Sequence, residues 1–103
     1  MPSYISLATL LDGPAHGYAI MRRAEALSGG DVRPSTGTLY ALLERAIAEG
    51  LVVSGEPYVE SGRERRDYAL TPAGRSELAA ETRRLERAAR TVARKLRATA
   101  VPA

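Results

Sequence analysis

Apolar residues recur along this chain at helical spacing, in runs separated by Gly, Pro and short polar stretches. From Tyr4 to Leu11, Tyr4, Leu7, Ala8 and Leu11 share one helical face while Ile5 and Leu10 lie off it. A helix that is apolar on two sides needs two neighbours to bury it. Asp12-Gly13-Pro14 stops this helix, because Gly and Pro continue helices poorly. A second, short helix fits from about Gly17 to Ser28, with Ile20, Ala24 and Leu27 in phase and Gly29-Gly30 as a left-handed exit. The clearest helix follows Pro34. Ser35 can cap its first turn, and Leu39, Leu42, Leu43, Ala46 and Ile47 form an i, i+3, i+4, i+7, i+8 stripe. Gly50 closes it in a position suited to a Schellman cap, with Leu51 as the apolar residue beyond.

The period then changes. Leu51-Val52-Val53-Ser54 and Arg66-Asp67-Tyr68-Ala69-Leu70 read as short strands of a hairpin, separated by a polar stretch containing Pro57, Ser61 and Gly62. The tip, from Glu60 to Arg65, has no apolar residue to bury and is expected to be exposed. Thr71-Pro72 starts a final helix with a capping Thr and Pro at the first position, and the pattern runs to about Ala98. Along it Leu78, Thr82, Leu85, Ala89, Val92 and Leu96 are spaced alternately four and three apart, a heptad seam that calls for a partner helix. The expected fold is mainly α with a small β-hairpin, a winged helix-turn-helix plus a long C-terminal dimerisation helix. Residues 1–71 would form the winged helix-turn-helix part and 72–103 the helix and tail, in one compact unit.

Composition narrows the function. The 103 residues suffice for one domain, and with no Phe, Trp or Cys its core must be built from aliphatic side chains and five Tyr. Such a core is thin for a monomer. Without Cys there is no disulfide and no thiolate zinc site, and one His makes no histidine cluster, so no metal or cofactor is expected. The apolar runs are too short to cross a bilayer and nothing resembles a secretory signal, which points to the cytoplasm and away from membranes. Catalytic residues are not expected either: the carboxylates sit among arginines and His16 reads as a structural or capping residue. The net charge of +3 is compatible with a polyanionic partner, and the arginines cluster at Arg63, Arg65 and Arg66 and again from Arg83 to Arg97.

In detail the chain resembles the PadR-type regulators. The matching pieces are His16-Gly17-Tyr18, then Ser35-Thr36-Gly37-Thr38-Leu39-Tyr40-Ala41-Leu42-Leu43, then Glu49-Gly50-Leu51-Val52, then Arg66-Asp67-Tyr68-Ala69-Leu70-Thr71-Pro72-Ala73-Gly74-Arg75. In this order they cover residues from about 4 to 97, in the manner of the compact subgroup with a single C-terminal helix. The resemblance implies a double-stranded DNA-binding transcriptional regulator, by family default a repressor, acting as a homodimer on an inverted repeat. It also implies that Tyr18 and Tyr40 reach the DNA backbone and that the early residues of the third helix contact bases. The C-terminal helix of one subunit would lie against the N-terminal helix of the other. Several relatives are released by a small-molecule effector near the dimer interface. The mode that stacks flat aromatics on Trp cannot operate here, for lack of Trp.

The residues fit that reading on their own chemistry. The first turns of a recognition helix enter the major groove, where Ser35, Thr36, Thr38 and Tyr40 offer hydroxyls off the core stripe, and Gly37 suits a close backbone approach. Arg63, Arg65 and Arg66 at the wing, and Arg33 before the helix, suit phosphate or the minor groove, although Glu60, Glu64 and Asp67 dilute the wing's charge. Leu7, Leu11, Leu78, Leu85, Val92 and Leu96 are the candidate dimer interface. Blander readings stay open: Ser35 as a cap alone, the tyrosines as core aromatics, the long helix folded on its own subunit. The rival function is a winged-helix protein-protein interaction module without DNA binding, which would not need the hydroxyls and wing arginines.

Overall fold

The computed structural model describes residues 1–100; residues 101–103 of the expected C-terminal tail lie outside the described residues. Helix α1 spans Pro2–Ala8 and tightens into a 3-10 turn over Thr9–Asp12, so the helix expected from Tyr4 to Leu11 begins earlier and changes pitch before its end. Pro2 at the first position explains the early start. The end is held by Arg23, whose guanidinium donates to the carbonyls of Thr9 and Gly13 at 3.3 and 3.2 Å.

Helix α2 (Gly17–Leu27) and helix α3 (Thr36–Ala48) form where the pattern places them, although Leu27, in phase with Ile20 and Ala24, stays exposed at the end of α2. Both end in full Schellman motifs. Gly29 and Gly50 take the left-handed conformation, and the amides of Gly30 and Leu51 reach back to Glu25 and Ala46. Ile20 of α2 meets Leu39, Leu43 and Ala46 of α3 in a core completed by Leu10, Ala15, Val52 and Tyr68, and Ala24 is buried as well. Ile47 is left partly outside, at the edge of its stripe.

The wing differs from the simple hairpin. Strand β1 (Val52–Ser54) pairs with β4 (Tyr68–Leu70), and the presumed irregular tip is a second antiparallel ribbon of β2 (Tyr58–Glu60) and β3 (Arg63–Arg65). Tyr58 and Val59, just ahead of the expected tip, supply strand-forming residues, and Ser61-Gly62, both at positive φ, make the tight turn. Arg66 and Asp67 lie between β3 and β4 rather than in a strand. The β1–β4 sheet gains a further rung from Ala15, which exchanges backbone hydrogen bonds with Tyr68 at 3.0 and 2.9 Å. The wing is thereby tied to the start of α2.

Helix α4 (Pro72–Ala98) is capped by Thr71, whose hydroxyl accepts from the Gly74 amide and donates to the Gly50 carbonyl. Its first half packs on its own chain. Leu78 is buried, and Tyr4 donates to the Thr82 hydroxyl at 2.5 Å, since that hydroxyl is itself committed to the Leu78 carbonyl. Its second half is exposed: Val92 and Leu96 keep 55% and 65% of their surface. The helix thus folds back in part and projects in part, dividing the expected seam between its own subunit and open surface.

Gly74 permits this junction. A Cβ there would collide with the Leu51 carbonyl and come within 2.9 Å of a Leu70 methyl, whereas Gly37 has nothing within 4 Å. Gly74→Ala should therefore cost about 1–3 kcal/mol of unfolding free energy, as overpacking does. Gly37→Ala should be neutral or slightly stabilising. Urea unfolding at one fixed protein concentration measures both.

Candidate nucleic-acid interface

One-sided burial fixes what α3 presents. With Leu39 and Leu43 inward, the residues of its first turn, Thr36, Gly37 and Thr38, and the cap Ser35 are all exposed. Ser35 accepts from the Thr38 amide at 3.2 Å, and its hydroxyl donates to the Thr38 hydroxyl at 2.9 Å. The cap is real, and the hydroxyls remain open to solvent around it.

Beside this tip lies a cleft of about 370 Å³, walled by the start of α2, the start of α3 and the wing. Among the residues singled out from the sequence it gathers Tyr18, Thr36, Tyr40, Arg63, Arg65 and Arg66. Tyr18 is 53% exposed and Tyr40 44%, so neither is a core aromatic. Tyr40 reaches across the first residue of α2: a Cβ on Gly17 would stand 2.7 Å from its hydroxyl oxygen. Gly17 is thus the position that lets the phenol end of Tyr40 come down on the helix start. Thr38 turns instead toward a second groove, formed with Ser3, Leu7 and Leu42. Arg33 stands apart from the cleft and pairs with Glu25 of α2 at 3.5 Å.

The three wing arginines are not equivalent. Arg63 and Arg66 are exposed and make no ion pair among the described residues. Arg65 is turned inward, with only 17% of its side chain exposed, toward Glu60, His16 and Tyr18. His16 caps α2, accepting the Ala19 amide on Nδ1 at 3.2 Å, which leaves the ring proton on Nε2. Tyr68, buried at the cleft floor, was read from the sequence only as a strand residue. Burial, with a smaller push from Tyr40, raises its phenol above the ordinary range, so it stays a neutral donor.

At the ribbon's base Tyr58 donates to Asp67 Oδ1 at 2.6 Å. Among the described residues no three acidic or histidine side chains gather to hold a metal, and no helix is long and apolar enough to cross a membrane.

The fold and this surface define a winged helix-turn-helix regulator. The family model described as "Transcriptional regulator PadR-like family" matches residues 7–80, and the chain belongs to that family, one of transcriptional regulators and not of enzymes. It is 46% identical over 81 residues to the transcriptional regulator Rv3488 of Mycobacterium tuberculosis, covering 79% of this chain and 72% of that one. It is 44% identical over 81 residues to an uncharacterized 37.1 kDa protein of a Streptomyces fradiae transposon, again covering 79% of this chain but spanning only 22% of that protein. In structure it is similar to a Clostridium thermocellum transcriptional regulator, with TM-score 0.76, 23% identity and 89% of each chain covered. The fold is shared also with Bacillus subtilis PadR, solved in complex with operator DNA, with TM-score 0.68, 23% identity, and 78% of this chain and 46% of that one covered.

The Tyr58–Asp67 bond gives a pH signature. The carboxylate acceptor, with lesser help from burial, raises the Tyr58 phenol from 10.0 to about 12. Because the folded value is the higher one, the stabilisation is complete below pH 10.0 and disappears as pH climbs towards about 12. An ultraviolet titration of the tyrosines should show two late-titrating phenols, Tyr58 and Tyr68; Tyr58→Phe removes the phase at about 12, and Asp67→Ala moves that phase down.

Proposed function

We propose that this chain is a cytoplasmic repressor that binds an inverted-repeat operator in double-stranded DNA as a homodimer. The reading is carried by the exposed, hydroxyl-bearing tip of α3, set beside a cleft that holds Arg63 and Arg66. A helix tip of this kind fits the major groove, where Ser35, Thr36 and Thr38 meet base edges or phosphates and the bare backbone at Gly37 allows close approach. Tyr18 and Tyr40 present hydroxyls to the DNA backbone, while Arg63, Arg66 and Arg33 neutralise phosphate. A pure adaptor has no use for that combination. The relative solved with operator DNA supports the same surface by its fold.

Residues 1–71 would serve as the DNA-binding part and α4 as the dimerisation element. Leu11, Val92 and Leu96 stay exposed, Leu7 and Leu85 half so, and a second copy would cover them. Leu78 is already covered by its own subunit and would add little new contact. Two-fold pairing sets two recognition helices about 34 Å apart, one turn of duplex, hence the inverted repeat.

Selection of duplexes from a random pool tests this directly: an enriched palindrome is the expected result, and a pool without sequence preference would favour the adaptor reading. Affinity for the selected duplex should fall steeply with salt, by roughly 0.9 log units per log salt for each phosphate contacted. In parallel, Val92→Glu with Leu96→Glu should turn the dimer into a monomer by light scattering and weaken operator binding.

A further inference from the structure

The β2–β3 ribbon is thinly attached. Apart from each other, its strands make no extensive backbone contact with any element, so side chains must set its angle to the rest of the domain. Arg65 is placed to do so. From β3 it crosses to the start of α2, 49 residues away in sequence, where its Nη1 lies 3.1 Å from His16 Nδ1. Its Nε is buried and lies 3.4 Å from Glu60 Oε1, close enough for an ion pair though without hydrogen-bond alignment. Its guanidinium carbon stands 6.0 Å from the centre of the Tyr18 ring, within cation–π range. Glu60 in turn lies 3.9 Å from His16 Nε2, the nitrogen that holds the proton, so the ribbon meets the cap of α2 through both of its strands.

For Arg65 to reach a phosphate it would have to abandon Glu60, His16 and Tyr18 together. Arg63, two residues away on the same strand, and Arg66, just beyond it, have no such ties among the described residues. We propose that Arg65 is a positioning residue for DNA binding and not a DNA contact. Anchored on the α2 cap, it holds the ribbon at the angle that brings Arg63 and Arg66 to the duplex beside the tip of α3. This rests on the DNA-binding reading, and its first readout is taken on the free protein so that the two can fail separately.

Hydrogen exchange of the ribbon amides in the free protein should quicken in Arg65→Ala by about tenfold or more, the effect of losing a charged hydrogen bond. It should be unchanged in Arg63→Ala. On a duplex enriched from a random pool, Arg65→Ala should weaken binding at fixed salt while leaving the slope of log affinity against log salt at its wild-type value. Arg63→Ala should lower that slope by about one unit. Unchanged ribbon exchange in Arg65→Ala overturns the anchor whatever happens with DNA. A slope lowered by about one unit in Arg65→Ala makes it a phosphate contact and overturns the positioning role. A wild-type protein that binds no duplex refutes the DNA reading and with it this role, leaving exchange to report the anchor alone.

Discussion

Everything this protein presents to a partner depends on how α3 is clamped. Leu39 and Leu43 are buried against Ile20 of α2, with Ala46 a turn further on, and nothing in that contact can rotate without opening a cavity in a core that has no Phe or Trp to spare. Because the stripe occupies one side, the first turn of the helix emerges with its hydroxyls outward. The same clamp brings Tyr40 over Gly17, so that the start of α2 and the start of α3 form one continuous surface.

The acidic residues of the wing take on a different meaning once their contacts are known. Glu60, Glu64 and Asp67 appear to the sequence reader as a dilution of a basic tip. In the folded chain Glu60 is committed to Arg65 and faces His16, and Asp67 accepts from Tyr58, so two of the three carboxylates are occupied in holding the ribbon together. The Glu60–Arg65 pair cancels internally without changing the wing's net charge, and Arg63 and Arg66 are left outward beside the exposed Glu64.

The helices were legible because their signals are local: Ser35 and Thr71 as caps, Gly29 and Gly50 as exits, and the Leu39–Leu43–Ala46 stripe all act within a few residues of themselves. The exposed hydroxyl tip followed from that stripe. What stayed hidden depends on contacts far apart in sequence. The Ala15–Tyr68 rung, the approach of Gly74 to Leu51 and the reach of Arg65 to His16 each join segments that no periodicity relates. The ribbon was missed for a neighbouring reason: three-residue strands of mixed polarity, Tyr58–Glu60 and Arg63–Arg65, carry too little alternation to stand out from a loop. Likewise Leu78 reads as part of one seam with Val92 and Leu96, and only the packed chain shows the seam divided.

The link between β4 and α4 is the single residue Thr71, pinned by its hydroxyl to the Gly50 carbonyl and followed at once by the contact at Gly74. One residue added inside the helix just after this point would turn everything downstream by about 100° and advance it by 1.5 Å, carrying Val92 and Leu96 off their face. The Ser61–Gly62 turn has no such neighbours and leads only into open solvent. Length variation among descendants of this chain should therefore collect at the ribbon's end and be purged at the junction, leaving the wing free to change its reach while the two halves keep their mutual orientation.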